Sequence, residues 1–102
     1  MVSVVENKRK DLEALCRRYH VRRLDVFGSA AGEQLRDNSD IDFLVEFDDA
    51  IGKNRFDTFF DLLNALRELF GRPIDLVEPG GLRNPYFIND VNQTRRTVYV
   101  AS

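Results

Sequence analysis

Hydrophobic positions along the chain change period several times, and each change marks an element. Across residues 4–19, Val5, Leu12, Leu15, Cys16 and Tyr19 recur at helical spacing with charged residues between them. That pattern predicts an amphipathic helix capped by Ser3 or Asn7. Residues 22–27 (RRLDVF) read as a short strand with Leu24 and Val26 on one face, and Gly28-Ser29 breaks it. A short helix is expected over 30–35. Asn38-Ser39 then turns the chain into a second strand over 40–47 (DIDFLVEF), and the polar run 48–54, which contains Gly52, reads as a loop. The strongest helix is predicted over 55–70. There Phe56, Phe59, Phe60, Leu63, Leu66, Leu69 and Phe70 form a wide apolar stripe, with Gly71 at the C-terminal cap position. Residues 73–78 (PIDLVE) read as a third strand closed by a Pro79-Gly80-Gly81 turn. Residues 86–91 are weakly helical, and 97–101 (TVYVA) fit either a last edge strand or the tail of a helix.

The order helix, strand, strand, helix, strand, helix predicts an α/β (α+β) fold, a small mixed β-sheet covered by helices. At 102 residues the chain is expected to be a single domain, 1–102, with one modest core. Its net charge of −2 lacks the basic excess of a general nucleic-acid binder, so no direct nucleic-acid binding is expected. No apolar run approaches a membrane span, and the N-terminal residues lack a signal-peptide pattern. Cys16 is the only cysteine, which makes a reducing cytoplasm the expected setting.

The informative stretch is FGSAAGEQLRDNSDIDFLVEF. Gly28-Ser29 follows a strand, ten residues intervene, and Asp40-Ile41-Asp42 opens the next strand. Side chains alternate along a strand, so Asp40 and Asp42 are expected on one side and Ile41 on the opposite, apolar side. Adjacent carboxylates repel each other unless a cation lies between them, and magnesium with phosphate is the usual solution. The glycine lets the backbone approach a phosphate, Ser29 offers a hydroxyl, and a helix beginning there would aim N–H groups at the anion. Asp75 stands between Ile74 and Leu76, where an acid breaks the apolar pattern. If its strand pairs beside 40–47, Asp40, Asp42 and Asp75 meet at one end of the sheet. Two metal ions held there suit in-line phosphoryl displacement, with Asp75 also accepting the proton of the incoming hydroxyl.

Gly28-Ser29, ten residues, Asp40-x-Asp42 and a strand aspartate at Asp75 together resemble the nucleotidyltransferase superfamily associated with DNA polymerase beta. The short length and the phrase SDIDFLVEF are similar to its minimal branch, the MNT proteins. The resemblance implies nucleotidyl transfer, from ATP with magnesium, to a hydroxyl with release of pyrophosphate. It also implies a HEPN ribonuclease toxin as partner, with AMP placed on a toxin tyrosine and the MNT protein acting as antitoxin. One departure stands out: many relatives carry an arginine run of the form GSRARGE, where this chain has Ala30-Ala31-Gly32. Arg36, Lys53 or Arg55 are the candidates to replace that arginine.

Other residues read as structural. His20 has no ligand partner at useful spacing and sits at a helix end. Cys16 lies on an apolar helix face, and the phenylalanine stripe reads as core, with part of it free to meet a partner. Asp48-Asp49 reads as a solvated loop, and Lys8-Arg9-Lys10, Arg22-Arg23 and Arg95-Arg96 as exposed faces. Two rival functions follow from the same residues: an antitoxin that blocks its toxin by occlusion, and transfer to a small molecule. The absence of a second wall for a small-molecule pocket counts against the latter.

Overall fold

The computed structural model describes residues 3–28, 40–48, 52, 54–79 and 85–101. Among them the elements run α1 (Ser3–Asn7), α2 (Arg9–Arg18), β1 (Val21–Phe27), β2 (Ile41–Phe47), α3 (Arg55–Phe70), β3 (Ile74–Val77), α4 (Pro85–Thr94) and β4 (Arg96–Val100). The short helix expected over 30–35 and the Asn38-Ser39 turn lie outside the described residues.

The helix expected over 4–19 is interrupted at Lys8. The Lys8 N–H donates to the Val5 carbonyl at 3.2 Å, a tight i→i−3 bond that turns the chain before α2 begins. Lys8 stands at the N-cap of α2 with no side-chain cap, so neither Ser3 nor Asn7 caps that helix. Both helices still reach one core, because Val5, Leu12 and Cys16 are buried together. His20 follows α2 at φ 60, and this left-handed residue turns the chain into β1.

The strands form one mixed sheet in the order β3-β2-β1-β4. β1 pairs antiparallel with both β2 and β4, and β2 pairs parallel with β3. Of residues 97–101, ambiguous by pattern, 97–100 belong to β4, which places Val98 in the core. One face of the sheet carries Leu24, Val26, Ile41, Phe43, Val45, Ile74 and Leu76 into a core shared with α2 and α3. On the opposite face Phe27 and Leu44 pack with Val91 of α4 in a smaller cluster. α3 has the bounds that the pattern predicts, and Gly71 caps it at φ 64, donating its N–H to the Arg67 carbonyl at 2.9 Å. Its buried residues are Leu62 and Leu66, flanked by half-buried Phe59, Leu63, Leu69 and Phe70. The stripe is therefore not all core: Phe56 is 73% exposed and Phe60 44%, because the first turns of α3 stand beside β3, the outermost strand of its side. No helix among the described residues is long and apolar enough to cross a membrane.

Candidate active site

The connectivity brings the predicted residues to one end of the sheet. β1 ends at Phe27, whose partner on β2 is Asp42, and Asp42 is in turn the register partner of Asp75 on β3. Ile41 is buried in the helical core, so Asp42 faces the opposite side, as alternation requires. Asp42 is half-buried, while Asp75 and Asp40 are exposed, with Asp40 one residue before β2 begins. From β1 across to β3 the order at this end is Gly28, Asp42, Asp75. Between the first turns of α3 and the later residues of β3 lies a groove of about 670 Å³ lined by Phe56, Phe59, Phe60, Leu76 and Val77, with Arg55 and Glu78 also on its wall.

Gly28 is required twice over. Its φ of +68 is a region that residues with a Cβ rarely adopt, and a Cβ built there would stand 2.7 Å from Asp42 Oδ2. The missing side chain therefore leaves clearance for the Asp42 carboxylate. The Gly28 N–H donates to Thr94 Oγ1 at 3.0 Å, so this amide is engaged with α4 rather than turned outward. Ser29, the other expected phosphate-binding residue, lies outside the described residues.

The acid pair offers hard oxygen donors side by side, and the space left by Gly28 keeps one of them in place. That donor set fits magnesium, which takes one or two carboxylates and completes its shell with phosphate oxygens and water. Among the described residues no group of three or more His, Cys, Asp or Glu converges into a ready-made metal cluster. Asp42 and Asp75 are partners across the ladder, and Asp40 stands one residue before β2.

Sequence reasoning missed a further acid on this face. Asp25 is the one buried charged residue among the described residues, at 0% exposure. Arg95 donates to Asp25 Oδ2 from Nε at 2.7 Å and also from Nη2, and Arg23 donates to Oδ1 at 3.1 Å. Arg95 was expected on an exposed face; the buried carboxylate holds it instead, because an unpaired charge there would be costly. Of the candidates to replace the absent arginine run, Arg55 is paired with Glu78, and Arg36 and Lys53 lie outside the described residues. Burial, and after it the Glu13 carboxylate, push the Cys16 thiol up to about 12, against a smaller lowering by Arg17. Cys16 is thus core, as its helical position implies.

Residues 10–102, from α2 through the whole sheet, match the family model described as polymerase beta, nucleotidyltransferase. The chain belongs to this nucleotidyltransferase family. A Methanocaldococcus jannaschii protein named provisionally as a protein adenylyltransferase is 35% identical over 85 residues, 83% of this chain and 84% of its own length. Protein adenylyltransferase MntA of Thermococcus cleftensis is 30% identical over 82 residues, 80% of this chain and 77% of its own. A solved structure described provisionally as a minimal nucleotidyltransferase superimposes with a TM-score of 0.72 at 32% identity, covering 90% of each chain. A toxin–antitoxin complex with AMP-PNP shares the nucleotidyltransferase fold at TM-score 0.69 and 19% identity, over 91% of this chain and 73% of that one. So does a complex of an MNT antitoxin with a tri-AMPylated HEPN toxin from Shewanella oneidensis, at TM-score 0.64 and 16% identity, over 94% of this chain and 72% of that one.

Proposed function

We propose that this nucleotidyltransferase is an antitoxin that transfers AMP from ATP onto a protein hydroxyl, such as a tyrosine of a HEPN-type toxin, and releases pyrophosphate. The observation that carries the reading is the register of Asp42 with Asp75 beside a glycine that leaves room for the Asp42 carboxylate. Relatives named protein adenylyltransferases, at 35% and 30% identity, supply the acceptor class.

In this mechanism Asp40 and Asp42 would hold two magnesium ions and Asp75 one of them; Ser29 would meet the triphosphate, and Gly28, its N–H taken by Thr94, would let the backbone pass close to it. The ions, when bound, supply the positive charge that offsets the phosphates and the leaving pyrophosphate. Asp75, at the edge away from Gly28, takes the proton of the acceptor hydroxyl. The hydroxyl oxygen bonds to the α-phosphorus as the α-phosphorus bond to the bridging oxygen breaks, and pyrophosphate carries away that electron pair. Exposed Phe56 and Phe60, beside the strand residues that follow Asp75, give a protein acceptor an apolar surface to rest on.

The occlusion reading draws on Ala30-Ala31-Gly32 and on the engagement of Arg55 by Glu78, which leave the described part of the site without a spare arginine for the triphosphate. Neutralisation at low ratios separates the two. A catalyst protects against a molar excess of toxin and loses this in Asp40→Asn, whereas an occluder needs one copy per toxin and tolerates the substitution. Equal protection by wild type and Asp40→Asn at low ratios sinks the transferase reading.

A further inference from the structure

We propose that Thr94, the last residue of α4, is a positioning residue for nucleotide binding: its hydroxyl fixes Gly28 in the conformation that clears the Asp42 carboxylate. The proposal rests on the nucleotidyl-transfer reading above and adds a residue to its site.

Gly28 lies just past the end of both ladders of β1. Pairing with β2 reaches Phe27, opposite Asp42, and pairing with β4 reaches Val26, opposite Arg96. The Gly28 amide is therefore beyond the last rung, and a half-buried amide without an acceptor is costly. Thr94 Oγ1 accepts that N–H at 3.0 Å. The bond matters because of the backbone that it secures: at φ +68, a region open to glycine, the residue is held where a Cβ would come within 2.7 Å of Asp42 Oδ2, and glycine has none to press on that oxygen.

Thr94 is itself held. The next residue, Arg95, donates two hydrogen bonds to buried Asp25, and its backbone N–H closes α4 on the Val91 carbonyl at 2.8 Å. Consecutive residues of the α4–β4 joint thus grip β1 on either side of Phe27, at Asp25 and at Gly28. Phe27 packs with Val91 of the same helix, which fills the space between the two grips. The C-terminal helix is in this way fastened to the start of the phosphate-binding connection, next to Asp42 but without a carboxylate of its own in the chemistry.

Thr94→Val keeps the shape and removes the acceptor; Thr94→Ala removes it with less bulk, and Thr94→Ser restores it. The measurement is the affinity for magnesium AMP-PNP by calorimetry, with the melting temperature of the nucleotide-free protein beside it. Loss of one positioning hydrogen bond predicts affinity weaker by about five- to tenfold in the valine and alanine variants. The serine variant returns to within about twofold of wild type. Turnover at saturating ATP falls by less than the affinity does, so the larger part of the effect lies in KM. Wild-type affinity in both Thr94→Val and Thr94→Ala overturns the proposal while leaving the transferase reading intact. Weak binding that tracks a lowered melting temperature and is not rescued by serine also overturns it, as a purely structural role. Failure of the wild-type protein to bind the nucleotide at all removes the functional reading and the positioning role together.

Discussion

Asp42 and Asp75 are direct partners across the parallel β2–β3 ladder, on the sheet face that turns away from the α2–α3 core. Like charges opposite each other destabilise a sheet, a cost that the magnesium of the proposed mechanism would remove. Asp42 lies between Gly28 and Asp75, and in the proposed mechanism Asp75 serves the acceptor hydroxyl. Asp75→Asn should therefore keep magnesium-ATP binding within about tenfold and lose turnover by more than about a hundredfold. Asp42→Asn should lose both, including the rise in melting temperature that a ligand of the folded state produces. Clear turnover by Asp75→Asn removes that residue from the chemistry.

Gly28 and Gly71 allow a controlled comparison. Both have left-handed backbone, at φ +68 and +64, but only at Gly28 would a Cβ meet the Asp42 carboxylate; nothing lies within 4 Å at Gly71. Each change to alanine should cost about 1–2 kcal/mol of stability from backbone strain. Gly28→Ala should in addition lower turnover by about a hundredfold through displacement of Asp42, and Gly71→Ala should leave it unchanged. Equal activity in the two variants contradicts the clearance role.

The adjacent arginines Arg95 and Arg96 should separate sharply in stability. Arg95→Ala leaves Asp25, fully buried, to Arg23 alone, and should cost about 2–3 kcal/mol in urea unfolding. Arg96 is exposed and should cost no more than about 0.5 kcal/mol. Similar losses at the two positions argue against the buried carboxylate as the anchor.

Alternation made the strands legible: the parity of Leu24 with Val26, and of Ile41 against Asp42, follows from apolar spacing alone. The bounds of α3 were legible too, because its stripe is long and Gly71 stops it. Register was not, since hydropathy tells which face a residue takes and not which residue of another strand lies opposite. The match of Asp42 with Asp75 needed the parallel pairing of β2 and β3. Asp25 was hidden for a related reason. An acid between Leu24 and Val26 reads as the solvated position of a strand, and its partner Arg95 is 70 residues away. Phe56 and Phe60 fit the helical stripe but overhang the sheet edge, which periodicity cannot register. The break at Lys8 carries no proline or glycine to announce it.

Cys16 gives a pH prediction with a definite sign. Burial raises its thiol from 9.0 to about 12 in the folded protein, so the fold favours the neutral form. Its contribution to stability is complete below pH 9 and is lost as pH rises from 9 towards 12. Urea midpoints should fall over that window in wild type and fall less in Cys16→Ala. The native thiol should also resist alkylation at pH 8 until denaturant is added. An equal alkaline slope in the two proteins assigns the titration elsewhere.

The most direct measurement follows the label of ATP in a mixture of this protein, magnesium and a HEPN-type toxin. Phosphorus labelled at the α position should become covalently attached to the toxin, and label at the γ position should leave with pyrophosphate. Transfer should vanish on chelation of magnesium and in Asp40→Asn, while the two proteins still associate. Label from the γ position on the toxin, or α-label transfer undiminished in Asp40→Asn, contradicts nucleotidyl transfer from this site.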